Sequence, residues 1–129
     1  MKREILFRGK RKNGQWVYGS LVVSENINPA IYYEVGKGLV KQLDWCYVNS
    51  DSIGQYTGLT DKEGNKIFEG DVVIIGEKLK TKVIYYDGAF RMQSEFSPTP
   101  IDTTEMGYMM REFSVRVIGN VHDNPELIK

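Results

Sequence analysis

Ile53-Gly54-Gln55-Tyr56-Thr57-Gly58-Leu59-Thr60-Asp61-Lys62-Glu63-Gly64-Asn65-Lys66-Ile67-Phe68-Glu69-Gly70-Asp71-Val72-Val73 is the stretch that decides the fold class. It opens as a strand, crosses a glycine-containing loop at Asp61–Asn65, and returns as a second strand at Lys66-Ile67-Phe68. Glu69-Gly70-Asp71 makes the next corner and leads into the apolar run Val72–Ile75. Gly58, Gly64 and Gly70 fall where a positive backbone φ, or close approach of strands, would penalise a side chain.

The same grammar extends in both directions. Downstream, Lys80–Tyr86 alternates as a half-exposed strand, and Asp87-Gly88 turns it back into Ala89–Met92. Pro98 and Pro100 break the pattern. Thr103–Phe113 is then expected as the single short helix, capped by Asp102 or Thr103, with Met106, Met109, Met110 and Phe113 as its core stripe. Ser114–Val121 is the last strand, ended by Asn124-Pro125.

Upstream, Ile5-Leu6-Phe7 and Trp16–Val23 flank Asn13-Gly14, a dipeptide suited to the positive angles of a tight hairpin turn. Both faces of Trp16–Val23 are largely apolar, which predicts that at least part of this strand is covered on both sides. Ile31–Val35 and Trp45–Val48 suit a pleat, with Gly36-Lys37-Gly38 between them. A boundary is expected around Asn49-Ser50-Asp51. The reading is therefore mainly β: an N-terminal β-hairpin sub-domain over residues 1–50, and a small β-barrel over 51–129 with at most one short helix.

With 129 residues, 41% of them apolar, the chain can bury a core without a disulfide or a metal. The single cysteine, Cys46, excludes an internal disulfide and a multi-cysteine zinc site. The basic start has no long apolar core, and the apolar runs are too short to span a bilayer, so a cytoplasmic protein without a membrane role is expected. Seventeen basic and seventeen acidic side chains cancel. Residues 1–24, however, carry Lys2, Arg3, Arg8, Lys10, Arg11 and Lys12 against Glu4 alone. That asymmetry marks a binding edge or two faces that attract each other in an oligomer.

Catalytic candidates are few. Cys46 and His122 are the only residues of their types, so a cysteine hydrolase would have to use that pair. Cys46 stands between Trp45 and Tyr47, where a packing role is expected. Asp61–Asn65 lacks the ligand spacing of a calcium loop, since glycine falls fourth and lysines interrupt. Asp61 and Asp71 would need separated pKa values to act as an acid–base pair. No cofactor, metal or catalytic residue is assigned. The one site candidate is the basic hairpin, with Lys10, Arg11 and Lys12 for phosphates and Trp16, Tyr18, Tyr32 and Tyr33 as stacking surfaces.

Three stretches resemble the YopX family. They are Phe7-Arg8-Gly9-Lys10 with Trp16-Val17-Tyr18-Gly19, the opening stretch from Ile53 to Val73, and Val117-Ile118-Gly119-Asn120-Val121-His122-Asp123-Asn124-Pro125-Glu126-Leu127. The resemblance implies an SH3-like barrel and a source in phages or prophages of a bacterial host. It implies no established activity and no site residues. The leading expectation is a non-enzymatic accessory protein, a protein-interaction module that pairs with itself as a homo-oligomer or with a phage or host protein. Its alternative is a nucleic-acid-binding protein acting through Lys10, Arg11, Lys12, Trp16 and Tyr18. An enzyme comes third.

Overall fold

The computed structural model of the chain describes residues 3–97, 99–100 and 103–128. It is mainly β, with two antiparallel sheets and one α-helix among the described residues. The chain divides into two compact units, residues 1–56 and 57–129.

In the first unit β1 (Phe7–Lys10), β2 (Trp16–Ser24), β3 (Ile27–Lys37) and β4 (Val40–Tyr47) form a meander, and the start of β5 (Gly54–Thr60) pairs with β1. The spatial order is β4-β3-β2-β1-β5, which leaves β4 at an edge. Val17, Ile31 and Val48 make the core, with Leu21, Tyr33, Cys46 and Ile53 packed against them. Strand alternation puts all the core side chains of β2–β4 on one face.

Cover on both sides of β2 is confined to its start, where Trp16 is half-buried beneath Arg8 and Lys10. The strand's Val17, Gly19 and Leu21 face is buried or half-buried, whereas Tyr18, Ser20 and Val22 on the other face are exposed. Beyond Trp16, the apolar outer residues Tyr18 and Val22 face solvent.

The Asn13-Gly14 turn also departs from the expectation. The Arg11 amide donates to Gln15 O and the Gly14 amide to Arg11 O, and Gly14 has φ of 88°. Asn13 keeps a negative φ, and its Oδ1 accepts the Gln15 amide at 2.9 Å. This is a three-residue turn closed by one left-handed glycine. The second unit repeats it: the Asp61 amide donates to Asn65 O, the Gly64 amide donates to Asp61 O, and Gly64 has φ of 87°. Asp87-Gly88 makes the two-residue turn, with φ of 53° and 79°.

In the second unit the end of β5 returns through Asp61–Asn65 into β6 (Lys66–Phe68). A five-stranded sheet follows in the order β10-β9-β8-β7-β11, formed by β7 (Asp71–Ile75), β8 (Leu79–Tyr86), β9 (Ala89–Ser94), β10 (Thr104–Glu105) and β11 (Val115–Asn120). Its core is Ile67, Val73, Ile75, Val83, Met92, Met106 and Val115.

The helix α1 spans Met106–Glu112, later than expected. Thr104 and Glu105 pair instead with Met92 and Arg91 as β10, so the sheet captures the residues that helical periodicity claims. Glu105 is the cap residue and makes no side-chain capping bond. Asp102, one of the two expected caps, lies outside the described residues. Thr103, the other, donates its hydroxyl to Pro100 O at 2.6 Å. Met106, Met109 and Met110 do pack on the core, but the extended Phe113 turns its ring outward. Among the described residues no helix is long and apolar enough to cross a membrane.

Candidate functional site: the outer face of the first sheet

β1 and β2 pair in register Arg8↔Tyr18 and Lys10↔Trp16, and β2 and β3 pair Ser20↔Tyr32 and Val22↔Ala30. β3 and β4 continue the row with Ala30↔Tyr47, Tyr32↔Trp45 and Glu34↔Leu43. Directly opposed residues share a face. Lys10, Trp16, Tyr18, Val22, Tyr32, Trp45 and Tyr47 thus lie together on the face opposite the core.

Three of these aromatic groups touch one another, across β3 and β4 and along β4. Tyr32 stacks on Trp45 with centroids 6.1 Å apart and planes 25° apart. Trp45 meets Tyr47 edge-on at 5.0 Å. Arg8 Cζ lies 4.7 Å from the Trp16 centroid and Lys10 Nζ lies 5.6 Å from it, both within cation–π range. Tyr18 is 47% exposed, Val22 44%, Trp45 45% and Tyr47 50%, a concentration of solvent-facing apolar surface that is uncommon away from interfaces. A shallow cavity of about 240 Å³ borders Tyr47, lined also by Lys12, Asn28, Val48 and Asn49.

The expected site residues are divided by the pleat. Lys10, Trp16 and Tyr18 come together on this face. Arg11 turns to the other one, where its Nη2 donates to the Tyr33 hydroxyl at 2.6 Å and its Nε to Cys46 Sγ at 3.2 Å. The hydrogen bond to Cys46 raises the guanidinium's already high pKa; desolvation works against it, and the nearby Tyr33 adds to the rise. Tyr33, expected as a stacking surface, is occupied by Arg11, whose Cζ lies 5.7 Å from the ring. Lys12 sits exposed at the turn. Lys10, Arg11 and Lys12 therefore do not form one cationic edge.

Sequence reasoning missed Trp45 and Tyr47 as members of this face. Their spacing of two in a strand is the signal that places them on one side.

The other candidate groups are engaged. Asp61 is buried and accepts the amides of Glu63, Asn65 and Val117 at 3.0, 2.8 and 3.0 Å, and the Asn65 side-chain amide at 3.2 Å. Burial pushes its carboxyl upward, but these donors outweigh that and hold it below the ordinary value. The buried Asp71 accepts the Phe68 amide at 2.8 Å. Cys46 is half-buried in the first unit, and His122 belongs to the second. Among the described residues no group of three or more His, Cys, Asp or Glu is placed to hold a metal ion.

An antiparallel meander with an aromatic outer face, followed by a unit that contains a five-stranded sheet and its own core, defines a two-unit, mainly β protein. The chain belongs to the YopX protein family, whose model matches residues 6–129. Its fold is similar to the crystal structure of protein EF1440 from Enterococcus faecalis, with 23% identity, a TM-score of 0.64, and 99% of this chain and 100% of that one covered. No curated protein matches the chain.

Proposed function

We propose that the protein is a non-enzymatic interaction module, a phage or prophage accessory protein of the bacterial cytoplasm that docks a protein partner on the outer face of its first sheet. The observation that carries this reading is the exposure of Tyr18, Val22, Trp45 and Tyr47 on one face of the sheet. Aromatic side chains supply large contact area at low entropic cost, and burying such a face is favourable at about 25 cal/mol per Å² of apolar surface. The engagement of Asp61, Asp71 and Cys46 in local hydrogen bonds speaks for structural roles for these groups. The five antiparallel strands around the second core are consistent with an SH3-like barrel, which we propose as that unit's architecture.

Nucleic acid is the second reading, favoured by the placement of Arg8 and Lys10 over Trp16 among aromatic surfaces. It ranks second because Arg11 is committed to the opposite face.

The test compares the wild type with Tyr18→Ser/Val22→Ser/Tyr47→Ser, three exposed positions whose change spares the core. Affinity capture from host cells, with and without nuclease, should recover a protein that the triple variant loses and nuclease does not release. Identical recovery by both forms would refute docking on this face. Loss on nuclease treatment would put nucleic acid first.

A further inference from the structure

β4 ends the first sheet, and its outer side is open among the described residues. Every residue of Val40–Tyr47 except Cys46 is exposed, an unusually long and apolar edge with Val40, Leu43, Trp45 and Tyr47 on it. Long apolar edges are templates for strand addition, and proteins ordinarily blunt them with several charges, a proline or a bulge. The only charged residues of β4 are Lys41 and Asp44, of opposite sign; it has no proline, and its register with β3 runs unbroken from Tyr47 to Val40.

The pairing pattern shows which groups face outward. The Trp45 amide donates to Asp44 Oδ1 at 2.8 Å, a local substitute for a neighbouring strand. By alternation the amides and carbonyls of Lys41, Leu43, Trp45 and Tyr47 point to the open edge.

Resting on the interaction reading above, we infer that the partner at this edge is a second copy of the chain, joined β4 to β4 in antiparallel register about a two-fold axis through Leu43. A two-fold axis normal to the sheet keeps the same face outward in both copies, and the strand's own side chains choose among the registers it allows. Centring on Lys41 would oppose two lysines, and the next axis that sets Asp44 on itself would oppose two carboxylates; both are disfavoured. Centring on Gln42 sets Val40 against the partner's Asp44. Centring on Trp45 leaves Val40–Gln42 beyond the partner strand.

Centring on Leu43 places Leu43 on the partner's Leu43, Lys41 on the partner's Trp45, Gln42 beside the partner's Asp44 and Val40 beside the partner's Cys46. Every pair is complementary: leucine on leucine, cation on indole, amide on carboxylate. Lys41 already lies 3.6 Å from Glu34, so its charge is balanced where it meets the indole. The Trp45 amide exchanges Asp44 for the partner's Lys41 carbonyl, which releases Asp44 to accept from the partner's Gln42. About six backbone hydrogen bonds form, and the outer aromatic faces of the two copies become continuous.

The test uses the full chain in a Cys46→Ser background. Opposed residues in a hydrogen-bonded pair have Cα atoms about 5.5 Å apart, inside disulfide range, whereas residues offset by two positions exceed about 7 Å. Leu43→Cys should form a disulfide-linked dimer on mild oxidation, and Gln42→Cys and Trp45→Cys should not. Sedimentation of the wild type at high micromolar concentration should give a dimer, and Leu43→Lys, at an exposed position, should weaken it at least about tenfold with unchanged melting. A monomeric wild type, a dimer indifferent to Leu43→Lys, or linkage through Gln42 or Trp45 would each overturn this pairing. These outcomes are separable from the docking reading, because Tyr18 and Val22, which read it out with Tyr47, lie on β2, away from the β4 edge.

Discussion

The amide of Val117 donates to Asp61 Oδ2 at 3.0 Å, tying a hairpin tip to a strand 56 positions later. The same carboxylate holds the tip itself through the Glu63 and Asn65 amides. One buried side chain therefore sets both a local turn and a distant strand's position.

Asp61→Asn should destabilise the protein by about 1–3 kcal/mol in denaturant titrations, because an amide nitrogen would face donors where an oxygen now accepts. The folded carboxyl lies below its ordinary value, so its contribution is complete above the unfolded pKa, about 3.9, and is lost as pH falls through the lower folded value. Stability of the wild type should fall in that acid window, and the variant should lose this component. An unchanged acid limb in the variant would contradict the assignment.

Gly64→Val and Gly70→Val should each cost about 1–3 kcal/mol, since φ is 87° and 93° at these positions. A Cβ at Gly64 would meet nothing within 4 Å, so the cost there is the backbone's alone. Gly64→Asn should therefore be much milder than valine, because asparagine tolerates the left-handed region. Equal melting temperatures for glycine and valine would rule out the turn described.

Salt dependence tests the split of the basic hairpin. Of the three cations at the hairpin tip, Arg11 is committed to Tyr33 and Cys46, so Lys10 and Lys12 remain for phosphates and together contribute a log–log slope of magnitude about 1–2. Binding should vanish near physiological salt. Arg11→Gln should lower the melting temperature, whereas Lys12→Gln should leave it unchanged. A slope of magnitude about 3, removed by Arg11→Gln without loss of stability, would restore a continuous phosphate-binding edge.

Cys46 packs against the first core and receives the Arg11 Nε–H. A thiol reagent should label it slowly in the native protein and quickly in denaturant, and His122→Ala should not change the native rate. Fast native labelling that depends on His122 would revive the catalytic pair.

Strands and turns were legible wherever chemistry is local: Gly64, Gly70 and Asp87-Gly88 mark their own corners. The helix start was not, because Thr104 and Glu105 follow a register with β9 that helical periodicity does not encode. The site was half legible. Lys10, Trp16 and Tyr18 share a face by their parity in paired strands, and the same parity sends Arg11 and Tyr33 to the other side. Trp45 and Tyr47 join only through the β3–β4 register, a relation between strands rather than within one. How far cover extends along the apolar outer face of β2 was not legible, because composition does not reveal which side a neighbour covers.

The meander of the first unit has a consequence for synthesis on the ribosome. β2, β3 and β4 each pair with the strand just before them, and Val17, Ile31 and Val48 are in hand before β5 is complete. Chains emerge N-terminus first, so this unit can settle while the remainder is still being translated. The second unit must wait, because Val115 belongs to its core and Val117 supplies the last amide to Asp61. A nascent chain stalled near residue 100 would thus carry a finished aromatic face while the Asp61 carboxylate still lacks its distant donor.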